Sequence, residues 1–433
     1  MDAGEDVTPV AASGGATDGF HDRFRALRHR NFRLYWSGQL TSLIGTWMQS
    51  VAQGWLMHRL TSSAFMLGLL VFTQFLPVLI FSLWAGVIAD RVDKRRMLLI
   101  TQTAAFVQAL TLAVVVSLGI AEPWMVLVLA FVYGTFNAFD LPARQSYLIE
   151  LVGKEDLSNG IALNSAAFNT ARVIGPAIAG ILLARVGEAG CFWVNAVSYL
   201  AVIASLVRIR IDRAEQRPVG AASTLMEGMR YAIATRPIRN LLVLLGFTAG
   251  LGFQYSVLLP VYTKDILHAG ADTFGWLISA FGVGSLLSAV LMTRRLDRWD
   301  LRRNLQLGLV TAAIGMGVFA WSRWLPLSLA MGFLAGFGLI LYVASTNTLL
   351  QLTTEDRFRG RIMSLYTVMF IGTAPFGALI SGLVAQRFGA PAATTLSAAV
   401  LAAGAVWITY RLRVIAAREA EPSAPPTHFE KIG

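Results

Sequence analysis

The chain has 433 residues, 55% hydrophobic and only 14% charged, with a mean hydropathy of +0.59, whereas a soluble protein carries roughly a quarter charged residues. Apolar runs fill the whole length, which leaves no segment with the polar surface a soluble domain needs, and the net charge of +11 lies in short basic clusters between them. That distribution argues against a nucleic-acid partner and for a lipid bilayer, and the single cysteine, Cys191, permits no internal disulfide and no cysteine-rich metal site.

In chain order, residues 1–22 hold no apolar core of the signal-peptide kind and read as a disordered cytoplasmic N-terminus. Runs of about twenty apolar residues then predict an all-α membrane protein of twelve spans. They cover 34–57, 65–88, 97–119, 123–150, 158–184 and 190–208 in a first six-helix lobe (23–208). After a cytoplasmic linker (209–239), spans at 240–262, 273–293, 303–322, 326–351, 361–385 and 390–411 form a second lobe (240–413). Residues 414–433 are a cytoplasmic tail. Within the linker, STLMEGMRYAIATR predicts an interfacial helix with Leu225, Met229 and Ala232 on one face, or an ordinary linker helix.

Positive charge tests this count. With the N-terminus inside, thirty of the 36 Lys and Arg residues fall on the inner side, and only Arg59, Arg185, Lys264, Arg323 and Arg387 on the outer side. The asymmetry predicts a multi-pass protein of the cell membrane with both termini cytoplasmic.

The remaining basic residue, Arg172, falls inside span five, and Asp140 falls inside span four with Arg144 one turn later. A charge at mid-bilayer costs about 2.5–3.5 kcal/mol on insertion scales, so such groups face a wet cavity or each other. A static Asp140–Arg144 pair at i, i+4 is one reading. The other makes Asp140, Arg144 and Arg172 proton-coupling candidates, because a carboxylate gains and loses a proton as its surroundings alternate. The polar residues Gln39, Gln49, Gln53, Asn164, Asn169, Gln254, Tyr255, Tyr342 and Asn347 are candidates for a cavity lining, although hydrogen bonds between packed helices fit each of them as well.

The halves repeat. DRWDLRR lies over DRVDKRR at an offset of 207, which also matches Gly275 to Gly68. At an offset of 202, Gly377, Gly382, Arg387 and Gly389 match Gly175, Gly180, Arg185 and Gly187. Two six-helix repeats the same way up predict a two-lobed transporter with a site near the midplane.

Residues 86–96, G-x-x-x-D-R-x-D-K-R-R, resemble the signature loop of the major facilitator superfamily, except that Asp93 stands where glycine is usual. The resemblance implies a latch between lobes in the outward-open state, built from Gly86, Asp90, Arg91, Arg95 and Arg96. Here Gly86 would let a helix approach closely and Asp90 would occupy a helix N-terminus. FDLPARQSYLIELVGKEDLSNGIALNSAAFNTARVIGPAIAG, residues 139–180, is similar to the branch containing enterobactin exporters and macrolide-efflux proteins. Its end resembles the exporters' antiporter motif, with Gly175, Pro176 and Gly180 in place and Ala171 and Ala179 where glycine is usual. The resemblance implies a proton-coupled exporter of small amphipathic molecules such as a siderophore or drug, working by alternating access, with a cavity lined by spans one, four, seven and ten. A facilitator-fold importer or uniporter is the alternative, and a non-transporting sensor or scaffold is the reading from another class. No G-x-x-x-x-G-K-[ST], H-E-x-x-H or G-x-S-x-G occurs, so neither an enzyme nor a cofactor is expected. A monomer is expected, with lipid, protons and a small-molecule substrate as partners.

Overall fold

The computed structural model describes residues 24–153, 155–209, 222–295 and 300–420. The N-terminal segment 1–22, the first part of the linker, the Asp297–Arg298 part of the repeat and the end of the tail lie outside the described residues. Every regular element among those described is helical. The first lobe contains α1 (Arg30–Thr61), α2 (Ala64–Arg91), α3 (Lys94–Ser117) and α4 (Pro123–Val152), then α5 and α6 within the stretch Leu157–Arg208. After the linker helix α7 (Ala222–Ala234) come α8 (Arg236–Ile266), α9 (Ala271–Arg295), α10 (Leu301–Trp321), α11 (Leu325–Thr353), α12 (halves Asp356–Ile371 and Ala374–Phe388) and α13 (Ala390–Ala420).

Ten of these helical stretches are long and apolar enough to cross a bilayer. One of them, Leu157–Arg208, is two helices meeting at Gly187, whose φ of 67° and ψ of −171° are non-helical; a positive φ is cheap only for glycine. Counting these as two and adding the more polar α1 gives the twelve spans expected. Most predicted spans fall within helices that run a few residues further, whereas those at 97–119 and 303–322 overrun helices that end at Ser117 and Trp321. The last continues to Ala420, past the boundary expected at 413.

The repeat is physical at two matched turns. Asp93 caps α3 by accepting from the backbone N–H of Arg96 at 2.7 Å, and its mate Asp300 caps α10 by accepting from Arg302 at 2.9 Å. Gly187 and Gly389 both take positive φ, 67° and 85°, at the matching fifth-to-sixth turn of each lobe. Asp93→Ala should therefore cost about 1 kcal/mol, read as a small fall in the melting temperature of the purified protein.

The loops after α2, α4 and α11 lie at one end of the bundle, called the basic end for Arg91–Arg96 and Arg357–Arg361; the loops after α1, α3 and α10 lie at the far end. The lobes pack together toward the far end, α5 on α9 and α2 on the second half of α12. These contacts are close because glycines meet. A Cβ on Gly180 would overlap the Gly275 backbone, and one on Gly382 would lie 2.7 Å from Ala64 O and 3.1 Å from Gly68 Cα. Both pairings join residues that the repeat equates, Gly68 with Gly275 and Gly180 with Gly382. Side chains seal the same end. Ser63 Oγ donates to Gln386 Oε1 at 2.9 Å, Trp55 lies on Phe274 with ring centroids 5.1 Å apart, and His58 Nε2 is 3.2 Å from Asp265 Oδ2.

At the basic end the first lobe is tied to itself. Arg95 donates to the carbonyls of Leu206 and Val207 at the end of α6, and Lys94 pairs with Glu150 at 2.9 Å. Asp156, before α5, accepts from Arg25 and lies 2.7 Å from His29. The His29 hydrogen bond holds its carboxyl below the usual carboxylate value. This attachment is present at neutral pH and is lost as pH falls through that lowered pKa. Asp156→Asn should raise deuterium uptake over residues 25–29 at neutral pH.

Two expectations are corrected here. Gly86 has no neighbour within 4 Å of a placed Cβ, so no helix approaches it in this conformation. Asp90 lies at the C-terminal end of α2, and the helix N-terminus in that loop is capped by Asp93 instead. Of the face expected on α7, Ala232 is packed together with Gly228 and Tyr231, the latter stacked on Phe358 at 4.2 Å; Met229 is exposed, and the Leu225 side chain lies outside what is described.

Candidate functional site

The separation of the lobes can be read along α5. On the face carrying Arg172, the residues toward the far end, Pro176 and Ala179, are buried, whereas Ser165, Phe168 and Asn169, one and two turns toward the basic end, are exposed. Arg172 stands where interlobe packing stops. The same change occurs on the partner helix: Gly282 of α9 touches Val173, and Leu286, one turn further, is 45% exposed. The chain is thus closed at the far end and opens between the lobes toward the basic end.

Local sequence places the groups at this junction. Ala171 and Gly175 face α1, where a Cβ on Gly175 would lie 2.7 Å from Trp47 Cβ and 2.8 Å from Ile44 O; this close seat fixes the rotation of α5 and turns Arg172 away from α1. Across the gap, α8 is interrupted by π-helical turns at Thr248–Gly252 and Tyr262–Ile266, irregularities that often mark functional positions. Gln254 Nε2 donates to Gly250 O at 2.8 Å at the first break, and Tyr255 begins the next helical segment, stacked on Phe281 at 4.1 Å. The electrostatic neighbours of Arg172 are the phenols of Tyr255 and Tyr366, both in the second lobe. Asn347 lies beside Tyr366 and accepts from Gln351 at 2.5 Å. Arg172 makes no hydrogen bond or ion pair among the described residues.

Asp140 has a different setting. It is 3% exposed inside the first lobe, with Oδ1 accepting from Thr101 Oγ1 at 2.8 Å and Gln102 Nε2 at 2.7 Å, and Oδ2 accepting from Arg144. The helix continues through Pro142 to Val152, so Asp140 is twelve residues from its end, about 18 Å. Tyr35 lies beside it and packs edge to face on Tyr147, and both buried hydroxyls find no partner among the described residues. The expected link between Asp140 and Arg172 is not made in this conformation. Arg144 occupies the carboxylate, and Arg172 faces the other lobe.

Several lining candidates belong to lobe interiors instead. Gln49 donates to Gln108 and accepts from Asn195, at 3.1 and 2.7 Å, joining α1, α3 and α6; Gln39 and Gln53 are buried on the same helix. Tyr342 is fully buried with its hydroxyl 2.8 Å from Thr248 Oγ1, and Gln254 is buried at its helix break. These are helix-packing groups, which a polar residue in a span becomes when it faces its own lobe. Asn164 is half-buried and Asn169 exposed on α5. Tyr255 and Asn347 reach the junction. Phe168 and Tyr366 were not predicted, and Tyr366 lies in span eleven, outside the four spans expected to line the cavity. A groove of about 630 Å³ between α3 and α4 is lined by Arg96, Ile100, Val107 and Phe136; it contains neither Asp140 nor Arg172.

Two pseudo-repeated six-helix lobes that close on each other at one end and part at a central polar junction define a transporter fold of the major facilitator superfamily. The chain belongs to that superfamily's Transmembrane secretion effector family, whose model matches residues 22–431. It is 25% identical over 366 residues to the staphyloferrin A transporter of Staphylococcus aureus, covering 82% of this chain and 90% of that protein. It is 27% identical to the multidrug efflux pump Tap of Mycolicibacterium fortuitum, with coverages of 81% and 88%. The fold is similar to that of the nucleoside transporter NupG, with a TM-score of 0.73 over 88% of this chain and 99% of the other at 12% identity. It also resembles a bacterial Spinster homologue in an inward-facing, occupied conformation, with a TM-score of 0.70 over 92% and 99% at 14% identity. The protein is a membrane transporter and not an enzyme.

Proposed function

We propose that the protein is a monomeric, proton-coupled exporter of small amphipathic molecules, a siderophore or a drug, with both termini and the basic end in the cytoplasm. The observation that carries this reading is the graded face of α5, packed against the second lobe beyond Arg172 and open below it. A central site accessible from one side is what alternating access requires. Relatives named as a siderophore transporter and a multidrug efflux pump support the substrate class. The basic residues at the open end support a cytoplasmic opening, through which an exporter takes up its load.

Asp140 is the only buried acid among the described residues, and on this reading it carries the proton. In the state open to the basic end its carboxyl group is paired with Arg144. Arg172 acts as the ligand or gating charge at the junction. The loop at Gly86, Asp90, Arg91, Arg95 and Arg96 latches the lobes in the opposite state. Asp90→Asn should then weaken transport while leaving folded yield nearly intact. Wild-type transport by that variant would reduce the loop to a topology signal. A reporter fused after Gly433 should be active in the cytoplasm, and activity only outside would overturn the orientation.

A further inference from the structure

Arg172 is a guanidinium with no ion-pair partner among the described residues. Its five N–H donors make no hydrogen bond to those residues, and the one buried acid among them, Asp140, is taken by Arg144, Thr101 and Gln102. An unpaired guanidinium at this depth costs several kcal/mol unless something charged or strongly polar meets it. Its electrostatic neighbours are two phenols of the second lobe, Tyr255 and Tyr366, and Tyr255 stacks on Phe281, next to the Gly282 that meets Val173. A phenol offers one O–H that can donate to an anion, so a cationic and two neutral donor groups are neighbours where the lobes part. Tyr255 is fixed by its stack on Phe281, and Asn347 lies beside Tyr366. One turn toward the open end, Phe168 is 45% exposed and meets Trp47 edge to face at 5.7 Å, which gives the site an apolar wall beside its charge.

We propose that Arg172, Tyr255 and Tyr366 form the recognition site for an oxyanion, a carboxylate or a comparable acid group, on the transported molecule, whose apolar body lies against Phe168. This rests on the transporter reading and narrows it, since a cationic or neutral amphipath leaves Arg172 unpaired. Because the donors come from both lobes, a bound anion bridges them. Charge-assisted bonds to a planar guanidinium are both stronger and more directional than those to an ammonium, so lysine is a partial substitute.

The test uses the full chain in detergent and in cells. A panel of aromatic and aliphatic carboxylic acids, each with its methyl ester and the amine of the same skeleton, is scored for thermal stabilisation of the purified protein. At least one acid should bind about tenfold or more tightly than its ester and amine, the margin expected for one charge-assisted contact. Arg172→Ala should remove that preference and Arg172→Lys should keep part of it, with Tyr366→Phe weakening the same acid. If every acid equals its ester, or if folded Arg172→Ala keeps the preference, the site is not an anion site. Should Arg172→Ala fail to fold, Arg172→Lys and Tyr366→Phe decide, and acid preference unchanged in both overturns the proposal. Accumulation of the same panel in cells separates the two claims. Efflux restricted to esters or amines overturns the anion site and leaves the transporter reading standing. Acid binding without flux of any compound keeps the anion site and overturns export.

Discussion

Gly180→Leu is expected to abolish transport and to hold the far end of the protein open. At Gly180 and Gly275 two helices of different lobes touch through backbone, and even a methyl group on Gly180 overlaps the Gly275 backbone. Backbone cannot rotate away as a side chain can, so the leucine forces α5 and α9 apart. Overpacking of this kind costs roughly 1–3 kcal/mol, which moves a two-state equilibrium by about 5- to 150-fold. Spin labels at Glu122 and Arg323, on the far-end loops of the two lobes, should report a longer distance, and labels at Glu155 and Glu355 on the basic end a shorter one. Gly68→Leu, at the pseudo-symmetric contact, should behave alike. If Gly180→Leu keeps wild-type distances and transport, the far-end packing is not a gate.

Asp140→Asn is expected to abolish export driven by a pH gradient. The geometry adds a requirement to that test. Asparagine keeps an acceptor for Thr101 and Gln102 but leaves Arg144 buried without its counter-charge, and breaking a buried pair by removing one partner costs about 3–5 kcal/mol. The pair should therefore also be removed together, as Asp140→Asn with Arg144→Gln. If Asp140 carries the proton, the double variant folds and binds substrate but does not concentrate it under an imposed pH difference. Gradient-driven transport by the double variant would reduce Asp140 and Arg144 to a packing pair.

The architecture was legible because bilayer thickness and charge topology are written directly into the chain. Apolar runs gave the twelve spans, and the repeat offsets located residues that prove to be matched caps at Asp93 and Asp300, matched turns at Gly187 and Gly389, and both halves of the interlobe contact. The site was less legible. Along α1 the residues Gln39, Gln49 and Gln53 recur as a lining stripe would, yet they face their own lobe; polarity shows that a residue avoids lipid and does not show which polar neighbour it meets. Asp140 and Arg172 stood out for the same reason, and only three-dimensional placement separated a charge with a partner four residues away from one with none among the described residues. Tyr366 and Phe168 carry no signal of that kind. An aromatic residue in an apolar span looks like any other until the opposing lobe is in place, and the electrostatic neighbours Arg172 and Tyr366 are nearly two hundred positions apart. The latch loop was misread in detail because its cap depended on where α2 ended. The helix runs through Asp90 to Arg91, which passes the capping role to Asp93.

The central claim, export driven by protons through this chain, is tested most directly by accumulation of a panel of siderophores and antibiotics in cells expressing the wild-type protein, the Asp140→Asn, Arg144→Gln double variant or no copy. The account predicts at least one compound that accumulates less in wild-type cells and returns to the level of cells without the protein when a protonophore is added or the double variant is expressed. Higher accumulation in wild-type cells, or a deficit that survives the protonophore, would contradict it.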